Sequence, residues 1–479
     1  MRPHIIFRYS GFVFLFNAVF LSISSIISAI HMDTAFFPLL YSTIISILFG
    51  VFPFIFVPPT TEITNKEGLL IVLTCWLVSC VIGIIPYLLW GGEFTLTNAW
   101  FESVSGFTTT GSTILKDIEA LPLGLLFWRA STHWIGGIGI IIFMLSVLPS
   151  LGKAGMTLYK SEMSSLAVNN FHYRTRKALQ ILAVTYVGLT VAEIIGLLLC
   201  GMGIFDAVTH SFATIATGGF STKNLSVAYF RSVPMESIMM VFMVLSGIHF
   251  GLLFSAIRGD ISYILKSSFV RYYIVALLIG IVLTALNIHG RLFDGWGETF
   301  RYASFQVISL GTSTGFATTD TGIWPAFAQL VLIFFTLQCA CAGSTSGGIK
   351  VDRIVIFFKS LFKRAKQMMH PHAVISPKIN GIPLEEDIIE GSIQYIVLYI
   401  AIVFISTLFL SFLNLDALTA FSASAATMGN VGPGFGMVSS MSNFSLLPDT
   451  GKWILTGTML LGRLEIFSLI LFVMIRSWK

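Results

Sequence analysis

A chain of 479 residues that is 55% hydrophobic and only 11% charged is not a soluble globule, since average soluble proteins carry about a quarter charged residues. Forty-three Phe stand against 23 acidic residues, more apolar surface than a water-facing core absorbs, so the solvent implied is the lipid bilayer. The net charge of +5 includes no basic run long enough for a nucleic-acid arm, which excludes nucleic acid as partner.

In chain order, apolar stretches long enough to cross about 30 Å of hydrocarbon as a helix lie near 5–30, 36–57, 69–90, 123–148 and 179–202. Five more lie near 235–257, 269–289, 325–345, 393–413 and 453–475, predicting ten full spans. The first is too long for a signal-peptide core and lacks a clear cleavage site before His31, so it is expected to be retained. With both termini cytoplasmic, 20 of the 28 Lys and Arg fall inside, six outside and two, Arg129 and Arg463, within spans. The positive-inside rule selects this orientation. Cys75, Cys80, Cys200, Cys339 and Cys341 lie in apolar runs and read as reduced packing residues.

The outer segments after the third, fifth, seventh and ninth spans share one anatomy: a half-apolar stretch of about ten residues, then small residues around a glycine. They read NAWFESVSGFTTTGST, DAVTHSFATIATGGFST, RYASFQVISLGTSTGFATT and DALTAFSASAATMGNVGPGFG. The central glycines, Gly111, Gly218, Gly315 and Gly432, are 107, 97 and 117 residues apart, which marks an internal repeat of helix, re-entrant hairpin, helix. A ten-residue helix reaches only about 15 Å, so each chain returns from mid-membrane as irregular backbone, tolerated there only beside water or within protein. Four such hairpins around one axis make a pore, with each short helix aiming its negative C-terminal end at the centre.

Thr110, Thr217 and Thr314 precede the first three glycines and Val431 the fourth. Glycine backbone can turn its carbonyl inward, and rings of carbonyl oxygens replace the hydration shell of a monovalent cation. No ring of carboxylates accompanies them, which argues against a divalent-cation filter. The predicted fold is therefore an all-α integral membrane protein: four pseudo-repeats of helix, re-entrant pore loop, helix around one central pore, plus an N-terminal two-helix hairpin. The predicted division is 1–67 for that hairpin, then 68–158, 159–262, 263–372 and 373–479 for the four repeats.

These loops, together with WRASTHWIGGIGI (Trp128–Ile140), CAGSTSGGIK (Cys341–Lys350) and LLGRLEIF (Leu460–Phe467), resemble the TrkH/KtrB family of potassium-translocating subunits. The resemblance runs from about residue 68 to the C-terminus, and the leading hairpin is similar to the extra pair of spans of the TrkH branch. It implies potassium as the transported ion, because a glycine in all four loops accompanies potassium preference in the family. It also implies a homodimer with one pore per chain and a separate cytosolic, nucleotide-binding regulatory subunit of TrkA type.

The apolar segment Ala326–Phe362 would make a helix about 55 Å long, but Ala342, Gly343, Ser344, Thr345, Ser346, Gly347 and Gly348 interrupt it with poor helix formers. Placed after the third filter loop, residues 343–348 read as an intramembrane loop that occludes the path, which the family resemblance also implies; the alternative is a plain helix end followed by an amphipathic cytoplasmic helix. Arg463 lies near mid-span, where a lone Arg costs at least about 2.5 kcal/mol. Its expected partners are the carbonyls of this loop, beside which the family places it, with Glu193 the alternative and Glu465 on another face. Arg129 is expected to snorkel outward without ion contact.

His133 and His249 read as packing residues, with proton relay the alternative, and Glu102 and Asp206 as charges near pore-helix starts that cap the helix or attract cations. The cytoplasmic connections near 149–178 and 348–392 are suited to dock a soluble partner, and membrane lipid surrounds the rest. A sodium-permeable or cation-coupled symporter on the same scaffold is the rival function. No Ser/His/Asp, HExxH or paired-carboxylate arrangement supports an enzyme.

Overall fold

The computed structural model describes residues 2–58, 65–147, 171–373, 375–380, 382–464 and 466. The protein is an all-α membrane protein. Among the described residues, six helices are long and apolar enough to cross a bilayer: within α1 (Pro3–His31), α2 (Phe36–Phe56), α3 (Asn65–Trp90), α6 (Phe171–Leu199), α11 (Ser268–Ile288) and α15 (Glu386–Phe412). They leave large apolar side chains in the open, such as Phe37, Leu48, Ile55, Leu286, Val397 and Phe412, a surface that only lipid solvates. The leading pair, α1 and α2, packs closely at Gly11 and Gly50, where a Cβ would press on the facing helix. Along it Ser24, Ser25 and Thr43 donate to carbonyls one turn back, which satisfies their hydroxyls within the apolar pair.

Four short helices alternate with the long ones: α4 (Leu96–Phe107), α7 (Ile204–Ile215), α12 (Trp296–Gly311) and α16 (Ala417–Met428). Two of them begin on side-chain caps, Thr95 accepting from the Asn98 amide and Asp416 from the Thr419 amide. Each short helix is flanked in sequence by two others: α3 and α5 (Leu123–Val147), α6 and α8 (Val233–Ser246), α11 and α13 (Ala326–Leu337), α15 and α17 (Asp449–Arg463). The connection after α14 (Val351–Met369) carries a two-residue β-ribbon, β1 (Lys378–Ile379) against β2 (Ile382–Pro383).

Ten uninterrupted spans are not what the chain forms. The expected sixth span bends by 110° between α8 and α9 (Phe250–Ile257). At the bend, a Cβ on Gly247 would strike the Tyr273 hydroxyl, and the His249 imidazole accepts from the Gly251 amide as the cap of α9. The expected eighth span ends as helix at Leu337. Hydropathy counts apolar residues and is blind to both breaks. The second half of the expected tenth span, with Glu465, lies outside the described residues, as does most of the connection at 149–178.

Candidate functional site

The four short helices end alike. Thr109, Thr217, Ser313 and Asn430 adopt left-handed backbone, with φ of 51°, 55°, 57° and 51°. The amides of the next residues, Thr110, Gly218, Thr314 and Val431, reach back to the carbonyls of Ser105, Ala213, Ser309 and Ala426 at 2.8–2.9 Å. This is the six-to-one bond of a Schellman ending, made here on non-glycine residues. A positive-φ glycine follows in every loop: Gly111, Gly219, Gly315 and Gly432, at 85°, 76°, 82° and 99°.

The four loops close into a ring. A Cβ on Gly111 would collide with the Gly218 carbonyl, on Gly219 with that of Thr314, on Gly315 with that of Val431, and on Gly432 with that of Thr110. Each glycine is thus a seat for the carbonyl of a neighbouring loop, and any side chain would unseat it. The same four glycines line one cavity of about 70 Å³, with Ser112, Thr113 and Ser221 among its walls.

The ring shifts the expected register of the second loop by one residue. Gly218 holds the place of Thr110, Thr314 and Val431, its φ is not positive, and the glycine seat is Gly219; Thr217 matches Thr109 rather than Thr110. A Gly-Gly pair has two registers, and sequence spacing does not choose between them. Here His133 chooses: its imidazole occupies the space a Gly218 side chain would need and stacks on Phe220 at 4.0 Å.

On the side to which the short helices point their C-termini lies the break between α13 and α14. Ser344, Thr345 and Ser346 are buried. The Thr345 hydroxyl donates to the Ile215 carbonyl at 2.9 Å, and the Gly347 amide donates to Ser313 Oγ at 3.0 Å. A Cβ on Gly347 would strike the Gly429 carbonyl, so the loop meets the ends of three short helices. Gly343 fits under His249, and its carbonyl accepts from the Phe250 amide; the bend between α8 and α9 therefore makes room for the loop. Gly348, at φ 65°, closes against Cys339.

Arg463 is 2% exposed. It donates to the Thr345 carbonyl at 2.6 Å and to the Gly136 carbonyl of α5 at 3.3 Å. Glu193 is buried elsewhere, with neither carboxylate oxygen hydrogen-bonded. Two further charged residues hold the loop: Lys350 donates to the carbonyl and hydroxyl of Ser346, and Asp352 accepts from the Ala342 amide.

Arg129 does not snorkel. It is 2% exposed, donates to Glu102 at 2.6 Å and to the Ser221 carbonyl at 2.9 Å, and lies over Phe220. Glu102 is correspondingly a mid-helix brace to the first loop, accepting from Thr113 and the Ile114 amide. Asp206 accepts from Thr222 in the second loop. These residues join helices and loops distant in sequence, and the i, i+4 spacing that flags local pairs gives no sign of them.

The TrkH family, described as a cation transport protein, matches residues 39–273 and 264–478. The chain belongs to the TrkH family. It is 38% identical over 422 residues to the Trk system potassium uptake protein TrkH of Salmonella typhimurium, covering 87% of each chain. To its namesake in Vibrio parahaemolyticus it is 36% identical, again over 87% of each chain. The crystal structure of the potassium transporter TrkH from Vibrio parahaemolyticus matches over 100% of both chains with a TM-score of 0.91 at 32% identity. Within this TrkH-family chain the motif Trp128–Ile140 becomes legible. Arg129 pairs with Glu102, and His133 packs on Gly218. Gly136 lets α5 touch the Phe107 carbonyl, and Gly137 accommodates the Tyr186 hydroxyl.

Proposed function

We propose that the chain takes up potassium ions through the four-loop ring, as a transporter and not an enzyme. The carbonyls of Thr110, Gly218, Thr314 and Val431, with those of the adjoining Thr217 and Gly111, Gly219, Gly315 and Gly432, replace the ion's water. The observation that carries this reading is the closed cycle of glycine seats, each occupied by a neighbouring loop's carbonyl. Negative helix ends beneath the ring favour a cation, and the membrane potential drives uptake by about 2.3 kcal/mol per charge per 100 mV.

In the same reading Gly343, Ser344, Thr345, Ser346, Gly347 and Gly348 close the path below the ring, and Arg463 both pins this loop and repels cations. Opening falls to a cytosolic nucleotide-binding subunit of TrkA type docked on the connections at 149–178 and 348–392, in a homodimer with one pore per chain. Both termini lie in the cytoplasm of a bacterial inner membrane, and the repeats divide the chain as the sequence pattern predicts. Ion replacement in liposomes tests the function: potassium flux well above sodium flux is expected, and equal fluxes sink the selectivity claim. Shortening residues 343–348 is expected to raise the flux; an unchanged flux from normally inserted protein removes the gate.

A further inference from the structure

Behind the ring, a polar residue in the body of each short helix ties down the outgoing limb of its own loop. In the second repeat His210 bonds Ser221 Oγ at 2.9 Å, and in the third Gln306 donates to Thr318 Oγ1 at 3.4 Å. In the fourth, Ser422 Oγ accepts from the Phe435 amide at 2.8 Å. The second repeat adds a carboxylate, Asp206, on Thr222 of its own loop; the first repeat differs in reach, because its charged brace does not stop at its own loop. Glu102 accepts from Thr113 Oγ1 at 3.0 Å and from the Ile114 amide at 3.1 Å, which fixes the limb leaving Gly111. Its other partner is Arg129 on α5, and that guanidinium continues to the Ser221 carbonyl beyond Gly219 and to the Phe220 ring at 3.5 Å. Both side chains are at most 2% exposed.

We propose that the Glu102–Arg129 pair is a selectivity-positioning element: it locks the first filter loop to the second, so that the width of the ring seen by a monovalent cation depends on it. The Gly111 seat holds the Gly218 carbonyl across this boundary, and the pair lies behind the boundary, joined to the limbs that leave both seats. A sodium ion is smaller than potassium, so the ring excludes it only by being unable to contract onto it. A charge-assisted chain from Ile114 and Thr113 through Glu102 and Arg129 to Ser221 opposes contraction between these two loops, as short bonds between ionised groups are stiffer and more directional than neutral ones. The junction on the other side of the first loop, with the fourth, is spanned by neutral bonds: Ser112 Oγ to the Gly432 carbonyl at 3.0 Å and Asn430 Nδ2 to Thr110 Oγ1 at 3.0 Å. The two residues touch no ion; they act through the loops.

This inference rests on the ring being the filter, and one experiment separates the two. The full chain, Glu102→Gln, Arg129→Lys and Gly111→Ser are reconstituted in liposomes, and the potassium-to-sodium permeability ratio is read from the reversal potential beside the thermal stability of each protein. Glu102→Gln keeps the shape but removes the charge and turns one of the two acceptor oxygens into a donor NH2; Arg129→Lys keeps the charge but cannot reach both Glu102 and Ser221. Each is expected to lower the ratio about tenfold or more while total cation flux persists, with Glu102→Asp falling between it and the unaltered protein. A purely structural pair would lower the melting temperature and leave the ratio of the surviving protein unchanged, and that result overturns the proposal. If Gly111→Ser alone shifts the ratio, the brace is refuted and the filter stands; if Gly111→Ser too has no effect, the filter reading itself falls. Should the single variants fail to insert, Glu102→Gln combined with Arg129→Gln, which leaves no unpaired charge, decides by the same ratio.

Discussion

The ring and the loop beneath it are held by different means. The ring is built four times over, backbone against backbone: a helix ending, a left-handed residue and a glycine seat recur in each repeat. The loop at 343–348 is built once, and single side chains grip it: a guanidinium from α17, an ammonium at the head of α14, and hydroxyls against short-helix ends. Backbone seats have no alternative rotamer to relax into, whereas each polar grip contributes about 0.5–3 kcal/mol net, small enough for a docking partner to overcome. The proposed function calls for a rigid part for discrimination and a releasable part for gating, and that difference is of the kind it requires.

The largest expected effect comes from filling a seat. Gly315→Ala places a methyl on the Val431 carbonyl at a φ of 82°, and unusual backbone alone costs about 1–3 kcal/mol before the collision is counted. Potassium flux per inserted molecule is expected to fall about a hundredfold, at 1.4 kcal/mol per factor of ten. Gly219→Ala is expected to match it, because it meets the Thr314 carbonyl. Gly218→Ala instead meets the His133 side chain, so His133→Ala is expected to restore much of its flux. Equal, unrescued losses at Gly218 and Gly219 break the register described here.

Removing a grip acts in the opposite direction. Arg463→Gln deletes the charge from the bonds to Thr345 and Gly136. Bonds to charged groups contribute about 1.5–3 kcal/mol each, so resting flux is expected to rise at least tenfold without the cytosolic subunit. A loss of flux with loss of inserted protein places Arg463 among folding residues instead. Lys350→Gln is the milder version, because amide donors replace an ammonium that grips only Ser346. A rise of about threefold is expected, and no rise restricts the lock to Arg463.

These two regions were unequally legible in the sequence. Residue type betrayed the repeat and the break: four clusters of small residues at similar spacing, and a lone run of Gly and Ser within an apolar segment. Arg463 pointed to its loop because an unpaired charge in lipid needs carbonyls. The second-loop register stayed hidden because either glycine of a pair fits the spacing, and only His133, some 85 residues away, distinguishes them. Arg129 was misread because its depth fits snorkelling equally well, and Glu102 lies on another helix, 27 residues back. The bend at 247–249 was lost to averaging, since α8 and α9 are both apolar and hydropathy carries no direction.

The smallest expected effect tests whether rigidity reaches the outer ends of the short helices. Asp416 caps α16 through the Thr419 amide, and its carboxyl is held below the ordinary carboxylate range chiefly by its hydrogen bonding with Thr419. A lowered value means the ionised form is the stabilising one. Its contribution is therefore complete above the ordinary carboxylate range and is lost as the pH falls through the lowered value. Asp416→Ala is expected to destabilise the detergent-solubilised protein by about 1 kcal/mol near neutral pH, and Asp416→Asn by much less, because the amide oxygen still caps. The gap between Asp416→Ala and the unaltered chain is expected to narrow on acidification, followed by thermal unfolding across the acid range. The second and third short helices start on Gly203 and Gly295 with no side-chain cap bond, so the ring already tolerates uncapped outer ends in two repeats. Selectivity in Asp416→Ala is expected to stay unchanged; a shift would mean that the glycine seats depend on the far ends of their helices as well as on their own backbone.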